Sequence, residues 1–222
     1  DDFLLTLNNP IFKIASFEIT DSDLIEYIAS KNKPIILSTG IATQSEIEEA
    51  LDIIRGVNEN KITLLQCTSS YPTPPNEANL IMIKDFERKY DVIPGLSDHT
   101  LGIEAPIVAV SLGARLIEKH FILDKSLGGP DATFSLDPKE FKKMVSAIRT
   151  AQKMLGKVDY SLSELKMKSR NFARSLYIVK DVKKNELVTS ENIRSIRPGF
   201  GLHPKHLKEV LGKRFKNNYR LG

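Results

Sequence analysis

The sequence predicts a parallel α/β fold followed by a small β-rich module, and three observations carry that prediction. Short apolar runs alternate with amphipathic helical stretches over residues 1–156, the pattern of repeated βα units. Each apolar run ends in small polar or basic residues. After a Lys-rich stretch the pattern changes to two short strand-like runs separated by a turn. At 222 residues, 41% hydrophobic and 27% charged, the chain suits a globular protein with a sizeable core.

Five runs read as strands: 11–16, 35–39, 62–67, 92–96 and 115–118. Helices fill the gaps. One follows Thr20 or Asp21, turns Leu24, Ile25 and Ile28 inward and stops before Pro34. Thr43 and Glu46 form a capping box ahead of Ile47, Ala50, Leu51 and Ile54, and Gly56 ends that helix. Two more are expected over 78–90 and 103–112. Asp137-Pro138-Lys139-Glu140 supplies an N-cap, a proline at N1 and a glutamate at N3, and Gly156 marks the end. The Lys-rich segment 157–172 reads as a linker. Beyond it, 175–179 and 193–197 read as strands, with a turn at Lys183-Lys184-Asn185-Glu186. A module of roughly fifty residues is marginal alone.

The net charge of +4 is small and scattered, and no Arg/aromatic stripe accompanies it, which argues against nucleic acid. A single cysteine, Cys67, rules out an internal disulfide framework and fits a reducing cytoplasm. No stretch reaches membrane-spanning length, and the start does not read as a signal peptide. The chain opens Asp1-Asp2-Phe3 without methionine, so a piece of a longer protein is expected.

In parallel α/β folds the C-terminal strand ends share one face, and ligands bind there. Here those ends carry Lys13 and Ser16, then Ser38, then Ser69 and Tyr71, then Ser97 and His99, then Glu118 and His120. Hydroxyls, a lysine and backbone amides suit a phosphate or carboxylate. An isolated histidine is most simply a hydrogen-bonded structural residue. Two histidines closing consecutive strands, about 4.8 Å apart, can instead chelate one cation. Two ligands leave positions open for water or substrate, as catalysis requires. Imidazole ligands favour Mn, Fe, Co or Zn over Mg. Cys67 reads as a buried strand residue, His203 and His206 as surface residues, and the Lys142-Lys143 and Lys183-Lys184 pairs as solvated faces. The loop Gly128-Gly129-Pro130-Asp131 follows the fifth strand and could reach a substrate.

Six segments together resemble one family in order and spacing. They are Lys-Ile-Ala-Ser-Phe-Glu (13–18), Leu-Ser-Thr-Gly (37–40), Cys-Thr-Ser-Ser-Tyr-Pro (67–72), Gly-Leu-Ser-Asp-His-Thr (95–100), Ile-Glu-Lys-His-Phe (117–121) and Gly-Pro-Asp-Ala-Thr-Phe-Ser-Leu-Asp-Pro (129–138). That family is the sialic acid synthases. The tail, Ala173 to Tyr177 and Arg197 to Gly201, resembles the family's antifreeze-like (SAF) domain. Within the family, 13–18 and 197–204 look most like pseudaminic acid synthases; N-acetylneuraminate and legionaminic acid synthases are the alternatives.

The resemblance implies a (β/α)8 TIM barrel, of which this chain would hold about strands four to eight over 1–156. A linker at 157–172 and a SAF domain over 173–222 would follow. The first three strands, with an acidic residue near the metal and a further phosphate-binding lysine, would lie outside it, and five βα units do not close an eight-stranded barrel. It further implies metal-dependent condensation of phosphoenolpyruvate with an N-acetylated amino sugar, by a cytoplasmic, domain-swapped homodimer. Position by position, His99 and His120 match ligands of a divalent metal, Mn2+ first and Mg2+ or Co2+ as alternatives. Lys13, Ser16, Ser38, Ser69 and Ser97 match the phosphoenolpyruvate site; Ser69 stands where the family often has Asn. Glu18 and Glu118 match carboxylates at the reaction centre. Tyr71, Asp131, Phe172 and Arg197 match the sugar side. Two rivals remain: another barrel lyase or aldolase, which would not need the small domain with Arg197, and an inactive fragment or carbohydrate-binding module.

Overall fold

A computed structural model describes residues 6–222. The chain divides into two compact units, Asp1–Gly156 and Lys157–Gly222. The first unit runs β1 (Phe12–Ile14), α1 (Ser22–Ala29), β2 (Ile35–Ser38), α2 (Gln44–Val57), β3 (Ile62–Cys67), α3 (Met82–Lys89), β4 (Ile93–Asp98), α4 (Glu104–Ser111), β5 (Leu116–Lys119) and α5 (Pro138–Leu155). Its five strands pair in sequence order, all parallel. Every residue of β3 is buried, as expected of a central strand covered on both faces. Ile25, Ala29, Leu51 and Ile54 of α1 and α2 pack with Ile14, Leu37 and Leu64 of the sheet in the main core.

The sheet is strongly curled. Flat, five strands would hold β1 and β5 about 19 Å apart. Yet the Lys13 ammonium on β1 lies 3.2 Å from Glu118 Oε1 on β5. These side chains meet across the open mouth of a half-barrel. Past β5 the chain doubles back along the same edge. Phe121 and Leu136 form a parallel bridge, and the Leu136 N–H donates to the His120 carbonyl at 2.9 Å.

Both capping boxes form. Thr43 Oγ1 accepts the Glu46 N–H and Glu46 accepts the Thr43 N–H; Asp137 and Glu140 exchange the equivalent bonds at the start of α5. Gly156, at φ +55°, ends α5. Several boundaries differ from the sequence reading. Gly56 lies inside α2, which ends instead at Asn58; its side-chain amide donates to the Ala29 and Lys33 carbonyls and ties the helix end to the α1–β2 connection. α1 ends well before Pro34, with Asn32 in the left-handed region at φ +52°. α3 starts only at Met82, because Pro75–Glu77 form a 3-10 turn and Asn79 sits at φ +43°. β4 continues to Asp98, which makes Ser97 and Asp98 ladder residues.

In the second unit, α6 (Glu164–Arg170) forms within the stretch read as a linker. β6 (Ser175–Ile178) and β7 (Ile193–Ile196) pair antiparallel, and α7 (Leu207–Val210) follows. Val182, Val188 and Phe215 make its small core. Asn185, at φ +69°, occupies the expected turn. Buried Ser175 Oγ donates to the Pro198 carbonyl at 2.7 Å and accepts the Gly201 N–H at 2.9 Å, fastening the 198–201 segment to β6. His203 is exposed, and His206 pairs with Glu209. Among the described residues, no helix is long and apolar enough to cross a membrane.

Candidate active site

The C-terminal ends of β1 to β5 converge as parallel pairing requires. Ser16 opens a 3-10 turn just after β1, is buried, and accepts the Gly40 N–H at 2.9 Å. Gly40 is the residue that leaves room. A Cβ there would lie 2.3 Å from Ser69 Oγ, 2.8 Å from Ser16 Oγ and 2.9 Å from Cys67 Sγ. Ser16, Cys67 and Ser69 therefore crowd around one backbone position between β2 and β3.

Ser38 Oγ and Ser69 Oγ are buried without a hydrogen-bond partner. Among the described residues only Thr100 Oγ1 shares that condition. Such a group costs about 1–3 kcal/mol unless something satisfies it. Two of the three lie at the strand mouth, which is the signature of donors kept for a ligand's oxygen atoms. Across the mouth, Ser97 Oγ donates to Glu118 Oε1 at 2.7 Å, and the Lys13 ammonium donates to the same oxygen at 3.2 Å.

The two imidazoles stand beside this cluster, with ring centroids 5.2 Å apart. His99 Nδ1 lies 3.0 Å from the Thr68 carbonyl. A carbonyl can only accept, so Nδ1 carries the proton and, in the neutral ring, Nε2 keeps its lone pair. That is the arrangement by which second partners orient a metal-binding histidine. Tyr71 stacks on His99 at 4.2 Å, and Phe134 packs edge-on against His120 at 5.0 Å. Asp131 Oδ2 is 3.4 Å from His120 Nδ1.

Burial pulls His120 below the ordinary imidazole value, and the charge of His99 adds to the pull. His99 moves the other way. Burial opposes its protonation, but the contacts with Cys67 and the Thr68 carbonyl outweigh it. For Cys67 burial likewise opposes ionisation, and hydrogen bonds with His99, Ser16 and Ser97 overcome it to hold the thiol low. A cation on His99 would reverse the direction for that ring. Tyr71 is raised, chiefly by burial.

The structure thus brings together Lys13, Ser16, Ser69, Ser97, His99, Glu118 and His120, with Tyr71 and Asp131 against the imidazoles. Ser38 ends β2 at the same face. Glu18 lies in the 3-10 turn after β1, half-buried, and no hydrogen bond or ion pair joins its carboxylate to the cluster among the described residues. Phe172 and Arg197 belong to the second unit, where they line one groove of about 540 Å³ with Leu162, Leu165 and Arg170.

Sequence reasoning missed three participants. Cys67 is the buried strand residue the sequence predicts, but its contact with a histidine was not foreseen. Its Sγ is 3.9 Å from His99 Nδ1, because the β3–β4 register pairs Cys67 with Ser97 and sets His99 two residues further on. Phe134 is the second aromatic wall, and no spacing signal marks it. The third is Gly40, a routine strand-end glycine in sequence. Among the described residues, no group of three or more His, Cys, Asp or Glu is gathered as a metal centre, so the imidazoles form a pair.

A curled sheet of parallel βα units, with hydroxyls, a lysine and paired imidazoles at its C-terminal mouth, defines a protein of the parallel α/β barrel type. Comparison with known proteins narrows this. Residues 2–160 match the NeuB family and residues 173–220 the SAF domain, and the chain belongs to the NeuB family. It is 47% identical over 221 residues to a pseudaminic acid synthase of Campylobacter jejuni, covering 100% of this chain and 64% of that protein. It is 49% identical over 214 residues to a pseudaminic acid synthase of Helicobacter pylori, covering 96% and 63%. The crystal structure of the spore coat polysaccharide biosynthesis protein SpsE of Bacillus subtilis superposes with a TM-score of 0.65 at 36% identity, covering 99% of this chain and 67% of that one. The chain therefore spans less than two thirds of the length of the two synthases.

Proposed function

We propose that this chain carries part of the active site of a nonulosonic acid synthase, one that condenses phosphoenolpyruvate with 2,4-diacetamido-2,4,6-trideoxy-L-altrose to give pseudaminic acid and phosphate. The carrying observation is the pair of unpartnered hydroxyls, Ser38 and Ser69, set beside Lys13 and two imidazoles at one mouth. Relatives at 47% and 49% identity bear the name of that activity.

The donor set fits a divalent cation, Mn2+ first and Mg2+ or Co2+ in its place, as two ligands of an open site. His99 has its proton committed to Thr68, and His120 has a carboxylate at its own Nδ1. When bound, the cation supplies Lewis acidity that polarises the aldehyde oxygen of the open-chain sugar. Lys13 and the hydroxyls of Ser16, Ser38, Ser69 and Ser97 neutralise and orient the phosphate and carboxylate of phosphoenolpyruvate. Its enol carbon then forms a bond to the aldehyde carbon, whose oxygen takes up a proton. Water adds at C2, and the C2–O bond to phosphate breaks, leaving a keto acid. Glu118, held between Lys13 and Ser97, stands where it can take the water's proton, with Glu18 as the other carboxylate available. Tyr71 and Asp131 face the sugar side. The same reading expects a cytoplasmic homodimer, in which Phe172 and Arg197 of one chain's small domain serve the partner's site.

Phosphate release from the full-length protein tests the proposal, with phosphoenolpyruvate, Mn2+ and each of the altrose, legionaminate-precursor and N-acetylmannosamine sugars, and products read by mass spectrometry. Turnover with the altrose sugar alone is the expected result. Preference for another sugar replaces the product assignment, and no phosphate with any of them overturns the synthase reading.

A further inference from the structure

Asp98 and Lys119 face each other in the β4–β5 register, and each directly precedes one of the paired imidazoles. Both side chains are 1% exposed, and the Lys119 ammonium donates to Asp98 Oδ2 at 2.6 Å. No step of the proposed reaction uses them. Side chains alternate along a strand. Ser97 and Glu118 meet at the mouth, so Asp98 and Lys119 lie on the opposite face, behind the site.

Two further bonds extend the pair. Asp98 Oδ1 accepts the Thr100 N–H at 2.9 Å, and the Lys119 ammonium donates to the Thr100 carbonyl. His99 is thus bracketed by Asp98 and Thr100, both held to Lys119, and Lys119 is the backbone neighbour of His120. Apolar side chains could join the two strands here without desolvating charges, and such replacements are often neutral or stabilising. What charge adds is direction. An ammonium with fixed acceptors holds a bearing that non-directional packing does not.

We infer that the Asp98–Lys119 pair is a positioning device that sets the separation and orientation of His99 and His120, and through them the affinity for a divalent cation. This inference rests on the metal-binding reading of those histidines. Ligand distances are held to within about 0.2 Å, and loss of partners behind a ligand typically weakens metal binding 10–100-fold.

The test uses the full-length protein with Asp98→Asn/Lys119→Met, which keeps an acceptor for the Thr100 N–H and leaves no buried charge unpaired. Asp98→Asn/Lys119→Gln, which keeps hydrogen-bonding groups at both positions and leaves no buried charge unpaired, is the milder second variant should the first not fold. Mn2+ affinity by titration calorimetry is expected to fall about 10–100-fold, at a near-wild-type melting temperature and with phosphoenolpyruvate KM at saturating Mn2+ little changed. A folded variant that binds Mn2+ as the wild type does overturns the inference while leaving the metal reading intact, provided His99→Ala abolishes binding. If the wild type binds no Mn2+, or His99→Ala binds it undiminished, the metal reading itself fails. The crystal structure of the variant then decides. Imidazoles still 5.2 Å apart in the same orientation overturn positioning, and displaced imidazoles uphold it.

Discussion

Gly40→Ala offers a sharp test of the mouth's architecture, because a single methyl group would enter the spot on which three side chains converge. Its Cβ would sit 2.3 Å from Ser69 Oγ, so that hydroxyl must retreat by about 1 Å to reach ordinary van der Waals separation. Ser16 Oγ and Cys67 Sγ, at 2.8 and 2.9 Å, must give by smaller amounts. Ser16 then risks its bond from the Gly40 N–H. Overpacking of this kind costs about 1–3 kcal/mol. The lower end is expected, since two of the obstacles are the ends of serine side chains. In a chain of this size each kcal/mol lowers the melting temperature by about 2–4 °C. The functional effect is expected to be larger. A displacement of about 1 Å in a positioning group costs on the order of 100-fold in rate. Steady-state kinetics should therefore show kcat/KM for phosphoenolpyruvate falling far more than the thermal midpoint does. A variant that melts a few degrees lower but binds phosphoenolpyruvate normally would refute the placement of Ser16 and Ser69 against that substrate.

Four further outcomes follow from the geometry. Ser38→Ala removes a buried hydroxyl that has no protein partner, so stability should hold or rise slightly in a thermal melt while phosphoenolpyruvate KM increases. Ser175→Ala strands the Pro198 carbonyl and the Gly201 N–H; about 1–3 kcal/mol of local stability should go, read as faster hydrogen exchange in the second unit with Mn2+ affinity unchanged. Asp137→Ala removes the carboxylate oxygen that accepts the Lys139 and Glu140 N–H groups at the start of α5 and should cost about 1 kcal/mol in denaturant unfolding. Because burial holds His120 below its ordinary value, the folded state favours its neutral form. The resulting stability is present above about pH 6.5 and lost as pH falls below it. Denaturation at pH 7.5 and 5 should accordingly show a smaller acid loss for His120→Asn than for the wild type.

What the sequence disclosed was local. The runs read at 35–39 and 62–67, observed as Ile35–Ser38 and Ile62–Cys67, and both capping boxes are written in contiguous residues, and the helices start where those boxes say. Helix ends were less legible. Gly56 looked like a stop, but α2 is finished by Asn58, whose side chain finds its carbonyls 25 and 29 residues away. A glycine signal cannot report a partner on another element. The same limit hid the contacts of the site. Strand order and alternation were enough to bring Lys13, the serines and the histidines to one face. They said nothing of which atoms meet, so the Cys67–His99 contact, the wall made by Phe134 and the buried Asp98–Lys119 pair appeared only with register and curvature. In the segment 157–172 a Lys-rich composition suggested a linker, yet Ser163 caps a helix there.

The contact between Lys13 and Glu118 also bears on how the protein is made. These residues are 105 positions apart in the chain. At a synthesis rate of about 5–20 residues per second, Lys13 exists for roughly 5–20 s before its partner has been polymerised. During that interval the growing sheet has an unclosed mouth and a buried-type strand edge exposed on the ribosome. Ligand can rescue nothing then, because the donors that would hold it are divided between β1 and β5, strands made far apart in time. Nascent chains arrested just short of residue 118 should therefore be the ones most dependent on chaperones.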